Sequence, residues 1–170
     1  MKQELSTIVN DLNLLEKVET FNGLLDTQPP AKWIKDHPFA RGVKYIPIQV
    51  HEKLLRVIFK EYRIEIKEIK QLFNSIVCVV TVHFKSPITG EWNYVDGVGA
   101  MSVQTDKGAS PSDLGAIKND AVMKAAPAAE SYAIKDACEK LGKLFGADLN
   151  RKDTVEFNSP YNYDKLLSDD

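Results

Sequence analysis

Apolar positions along this chain change period repeatedly, and each change marks an element. Leu5, Ile8, Val9, Leu12, Leu15, Val18, Phe21 and Leu25 recur at three- and four-residue spacing, which predicts an amphipathic helix over 4–25. Asp26-Thr27-Gln28-Pro29-Pro30 interrupts the pattern. This helix either packs on the domain that follows or docks on a neighbouring subunit. Residues 31–47 show no period and read as a long irregular loop carrying Trp33, His37, Pro38, Phe39, Arg41 and Gly42. Aromatic side chains in such a loop act as lids over a core, and a long loop with basic residues also suits binding. Pro47 opens a second helix to about Lys60, with Val50, Leu54, Val57 and Ile58 as its buried face.

Period two then takes over. Tyr62, Ile64 and Ile66 alternate with Arg63, Glu65 and Lys67, while Ile69 falls out of phase. That predicts a strand over 62–70 with a bulge near Lys67–Glu68. Ser75–Lys85 contains the β-branched run Ile76-Val77-Cys78-Val79-Val80; both faces are apolar, as in a central strand. Ser86-Pro87-Ile88-Thr89-Gly90 is a turn. Glu91–Val103 returns as a third strand, with Trp92, Tyr94, Val98 and Ala100 on one side. Gly97 and Gly99 lie inside it, where glycine lets a sheet curl and lets another backbone come near. They follow no strand-to-helix turn, so they are not a dinucleotide fingerprint.

After a loop over 104–115, where Ser112 or Asp113 suits a helix N-cap, the helical period is strongest over Ala116–Lys152. Val122, Ala126, Ala129, Ala133, Ala137, Leu141 and Leu144 share one face. Its small side chains suit close approach to a flat sheet. Pro127 lacks an N–H and kinks the helix or restarts it, favouring two segments, 114–126 and 127–145. Gly146 is the natural left-handed residue after the second. The expected fold class is α+β: a β-β-β-α core in which a three-stranded antiparallel meander is covered by a long helix, kinked or broken near Pro127, with additional N-terminal helices. The expected regions are an N-terminal helix and linker (1–30), a main domain (31–152) and an acidic tail (153–170).

Composition is that of an ordinary globular chain of 170 residues, 44% hydrophobic and 27% charged. Cys78 and Cys138 form no C-x-x-C pair, so buried thiols in a reducing compartment are expected rather than a disulfide framework or zinc ribbon. The start carries no apolar signal-peptide core, and there is no apolar run of membrane-spanning length. Net charge is −2, but the last 18 residues hold five acids and one base. The rest is therefore slightly basic, with 21 basic against 19 acidic residues. The tail is a disordered solubilising end, or it competes with an anionic ligand or recruits a partner.

No Walker motif, nucleophile elbow or H-E-x-x-H is present. His37, His51 and His83 lack metal-ligand spacing. Asp96, Asp106 and Asp113 could gather around Mg²⁺ in a nuclease, but their spacing favours loop solubility equally. No catalytic residue, metal or cofactor is expected, and the chain does not read as an enzyme. What remains is charge. Lys118, Lys124, Lys135, Lys140, Lys143, Arg151 and Lys152 all lie in the Ala116–Lys152 stretch, either on a solvated helix side or facing a polyanion.

Tyr45-Ile46 before a helix, the meander, Asp96-Gly97-Val98-Gly99-Ala100, and the ending A-I-K-D-A-C-E-K-L-G-K-L-F-G-A-D-L-N-R-K together resemble the annealing domain of the Rad fifty-two family, including its phage Sak-type members. The resemblance covers roughly Tyr45–Lys152, and its ending is the most specific part. It implies subunits assembled in a ring, single-stranded DNA in a basic groove, and annealing without ATP in homologous recombination and repair. The setting it implies is the cytoplasm of a bacterial or phage-infected cell, with a single-stranded DNA-binding replication protein as a possible partner of the tail. Lys135 stands where the family has a DNA-contacting lysine. Asp136 and Glu139 stand where eukaryotic members have basic residues, so the groove must be less positive or built otherwise. Arg41 and Lys44 match the basic approach to Tyr45-Ile46. Lys85, Lys107, Lys118, Lys140, Lys143, Arg151 and Lys152 complete the expected DNA-binding set. The alternatives are a module for double-stranded RNA, which also combines helices with three strands, and a metal-dependent nuclease.

Overall fold

The computed structural model describes residues 2–37, 40–110 and 112–152; at 2–11 and 114 it describes the course of the chain but not the side chains. Pro38, Phe39, Pro111 and the acidic segment 153–170 lie outside the described residues. The elements are α1 (Lys2–Leu25), a 3-10 turn (Ala31–Trp33), β1 (Lys35–Asp36), β2 (Lys44–Tyr45), α2 (Ile48–Ile58), β3 (Tyr62–Leu72), β4 (Ser75–Lys85), β5 (Trp92–Ser102), a 3-10 turn (Leu114–Ala116), α3 (Ala121–Glu139) and a last 3-10 turn (Lys143–Phe145). The class is α+β. The antiparallel sheet has the order β3-β4-β5, and α3 packs over β4 and β5.

β4 is the central strand, paired on both edges, but only its face toward α3 is packed throughout; Val77 and Val79 on the other face are half-buried, so the expectation of two buried faces is corrected. Ile76, Cys78, Val80 and Val82 are buried among the core residues. The β3–β4 register steps from Ile66↔Val80 to Glu68↔Val79. That leaves Lys67 as the extra residue of a bulge, at the place where Ile69 falls out of phase.

The contact between α3 and β5 sets the fold's tightest spacing. A Cβ built on Gly97 would lie 2.1 Å from the Ala133 carbonyl oxygen, and one on Gly99 would lie 2.2 Å from the Ala133 nitrogen. Neither site has room for a methyl group. The facing helix positions are Ala129, Ala133 and Ala137, all 0% exposed. Glycine on the strand and alanine on the helix are thus two halves of one contact, in which backbone meets backbone.

Several sequence expectations are corrected. The stripe at the start of α3 is Ala121 and Ala125, with Val122 exposed; alanine is so frequent here that small size does not fix the phase. The helix begins at Ala121, not 114, and continues through Pro127 to Glu139 as one element. Pro127 is exposed, so the helix bond it forfeits faces water, and the close contact downstream holds the helix in line. Asp120 sits at the N-cap without a side-chain bond, while Asp113 Oδ1 accepts the Gly115 N–H and caps the preceding 3-10 turn. In α2, Val57 is 63% exposed, and His51 and Leu55 occupy the buried face beside Leu54. The loop over 31–47 contains a short ribbon, Lys35↔Tyr45 and Asp36↔Lys44.

Candidate nucleic-acid interface

The ribbon is what builds the site. Lys44 donates its backbone N–H to Asn150 Oδ1 at 2.8 Å, and Asn150 Nδ2 returns a bond to the Lys44 carbonyl at 2.8 Å. Asn150 can reach β2 because Gly146 takes a left-handed φ of 99° after the last 3-10 turn, turning the chain back. Buried Ile46 packs against that glycine. The pinned ribbon brings Tyr45 to α3.

There Lys135 Nζ lies 4.3 Å from the Tyr132 ring centroid and 5.3 Å from that of Tyr45. Tyr132 precedes Lys135 by three residues, so both project from one side of α3. His37 meets Tyr45 edge-on, with ring centroids 5.8 Å apart. Lys135 is half-buried, and burial holds its amine below the ordinary lysine range, opposed by Glu139. Burial and the charge of Asp136 push the Glu139 carboxyl up, opposed by Lys135 and Arg151. A partly desolvated ammonium on an aromatic floor interacts more strongly with an incoming phosphate than a fully hydrated one. Arg151 is exposed, 3.5 Å from Asp148. Lys44 is exposed on the ribbon and Arg41 in its turn. Lys152 is exposed at the end of the described chain.

The remaining expected DNA-binding residues do not join this patch. Lys143 is buried to 12% side-chain exposure and pairs with Asp26 at 3.1 Å, tying α1 to the core. Lys140 donates to the Asp96 carbonyl and to Asp136 Oδ2, and Asp136 in turn accepts the Val98 N–H at 3.1 Å. These two side chains satisfy backbone groups of the β5 edge, which blunts it against strand pairing. Asp136 therefore has structural work that a basic side chain, which only donates, could not do at this position. Lys85 pairs with Glu61 at 2.9 Å. Lys107 and Lys118 are exposed on the loop before α3, whose first residue, Ala121, lies about 20 Å along the helix axis from Lys135. Sequence reasoning missed Asn150 and the Tyr132 floor, although the Tyr132–Lys135 spacing was a readable signal.

His51 sits behind the patch, 1% exposed, with Nδ1 3.2 Å from the Pro47 carbonyl oxygen and Nε2 3.1 Å from that of Phe145. Burial holds it below the ordinary histidine range; the two carbonyls oppose this, and the Lys135 charge adds to it. Cys78 and Cys138 are free and buried, and burial pushes the Cys138 thiol up to about 12. Among the described residues, no group of three or more His, Cys, Asp or Glu is arranged to hold a metal. Asp96 instead accepts from Thr81 Oγ1. No helix among the described residues is long and apolar enough to cross a membrane. No protein-family model matches this chain, and no curated protein matches it.

Proposed function

We propose that the chain binds single-stranded DNA and anneals complementary strands without ATP, acting as an oligomeric ring in recombination and repair. The observation that carries this reading is the Lys135 ammonium held half-buried over Tyr132 and Tyr45, with Lys44 on the adjoining ribbon and exposed Arg151 next to Asn150, which binds the Lys44 backbone. Lysine and arginine neutralise phosphates and release counterions without reading base identity. A backbone held this way leaves base edges free to pair with a second strand. Glu139 lowers the local potential, so each subunit binds weakly, and a ring multiplies the weak contacts.

Annealing of complementary oligonucleotides at low salt, without nucleotide, tests the reading. A rate above the spontaneous one, falling steeply with salt, is expected; an unaccelerated rate refutes it. Competition with double-stranded RNA should leave the single-stranded DNA complex intact. An intact labelled strand after incubation with Mg²⁺ is expected of a protein that anneals and does not cut.

A further inference from the structure

The sheet has one bare face. Residues alternate along β4 and β5, so Val77, Val79, Val98 and Ala100 point away from α3, paired as Val77↔Ala100 and Val79↔Val98. Trp92 and Tyr94 extend this surface along β5. Val98 is 55% exposed, Trp92 55% and Tyr94 67%. The Thr81–Asp96 pair divides this strip, and Arg63, Glu65, Glu68 and Lys70 of β3 border it; exposed apolar side chains grouped on one face in this way mark a surface for a partner.

The same chain carries a second unpartnered apolar surface. Phe21 and Leu25 at the end of α1 pack on the core, with Phe21 edge-on to Phe59 at 6.0 Å. Every residue from Leu12 to Lys17 is exposed; Leu12, Leu14 and Leu15 are 57%, 42% and 44% exposed. Helix without a core to pack on is marginal in water, so this arm implies a surface that receives it.

We propose that the α1 arm of one copy packs on the bare sheet face of the next. The copy's own face is out of reach. The root of α1 is fixed on the α3 side of the sheet by the Phe21–Phe59 contact, by Lys143–Asp26, and by Leu25 against Gly142. A straight helix rooted there cannot cross to the opposite face. Dimensions agree: the arm from residue 2 to 17 is about 24 Å long, and an 11-residue strand offers about 36 Å. Charge agrees as well. α1 holds two basic and four acidic residues, whereas the bordering strand β3 holds three basic and two acidic. Donor and acceptor surfaces differ, so the contact runs head to tail and closes into a ring or continues as a filament. This deepens the oligomeric part of the proposed function and rests on it to that extent.

The test is native mass in solution for three full-length proteins: the unaltered chain, the double variant Leu12→Glu/Leu15→Glu, and Val98→Glu. All three substituted side chains are exposed, and circular dichroism confirms that the variants keep the fold. The unaltered chain should have a mass that is a multiple of 19.1 kDa, and each variant alone should fall to one chain. Mixed one to one, the variants should pair at twice the single-chain mass, because one keeps its arm and the other its face. An unaltered chain that is monomeric, a variant that keeps the parent mass, or a mixture that stays monomeric would overturn the proposal. Annealing by a monomer would remove this interface and leave the function; the expected masses without annealing would do the reverse.

Discussion

The two sides of α3 obey opposite rules. Toward β5 the helix presents Ala129, Ala133 and Ala137 to Gly97 and Gly99, and an added Cβ has no space. Toward the ribbon it presents Tyr132 and Lys135, half-buried and held by ring contacts rather than by packed backbone. The first side determines whether the chain folds. The second tolerates change and carries the proposed chemistry. Separating the two effects by substitution is the way to break this division.

The largest effect is expected on the packed side. Gly99→Val drives a side chain into the α3 backbone and should cost about 3 kcal/mol or more, seen as a collapse of the urea midpoint or as failure to fold. A Gly99→Val protein of unchanged midpoint would mean that α3 does not sit where described.

Lys135→Ala comes next and should act on binding alone. Affinity for single strands should fall, and the slope of log K against log salt should shrink by about 0.7. Stability should hold, because the ammonium is disfavoured by burial. A fall in melting temperature with unchanged binding would move Lys135 to the packed side of the comparison.

His51 lies behind the Lys135 side, between the Pro47 and Phe145 carbonyls, and its pKa is lowered in the fold. The unfolded chain therefore takes up a proton near the ordinary value of about 6.5, while the fold resists protonation. Its contribution is intact above that pH and is lost as pH falls from there toward the folded pKa, with a slope of at most about 1.4 kcal/mol per pH unit. Comparing thermal midpoints of the parent and His51→Gln between neutral and acidic pH checks this; parallel curves would refute it. Lys135→Ala should move the His51 titration upward, because the Lys135 charge pushes it down.

The smallest effect is expected from Lys140→Ala. Its contacts are half-exposed, so the loss should be about 0.5 kcal/mol, with the salt slope for single strands unchanged. A reduced slope would return Lys140 to the DNA-binding set.

The strands were legible because their side chains differ in size and polarity along the chain. The run at Ile76–Val80 identifies the central strand, and the misplaced Ile69 gives away the bulge at Lys67. The start of α3 was not legible in the same way. Ala121, Ala125 and Ala126 look alike as core candidates, and the phase of the helix is set further along, where Ala129, Ala133 and Ala137 meet Gly97 and Gly99. Trp92, Tyr94, Val98 and Ala100 do share a side, as their alternation says, but alternation cannot say that α3 takes the other face. The basic set was the least legible. Lys143 meets Asp26 across 117 residues of sequence, and no local pattern distinguishes it from Lys44 or Arg151, which stay exposed.

In the proposed function, the unpaired strand lies on the Lys135, Tyr45 and Lys44 surface. The most direct measurement is the salt dependence of single-strand affinity for the parent, Lys135→Ala and Lys143→Ala proteins, with folding checked in each. Lys135→Ala should give a shallower slope and Lys143→Ala the parent slope; equal slopes for parent and Lys135→Ala would refute DNA contact at this surface.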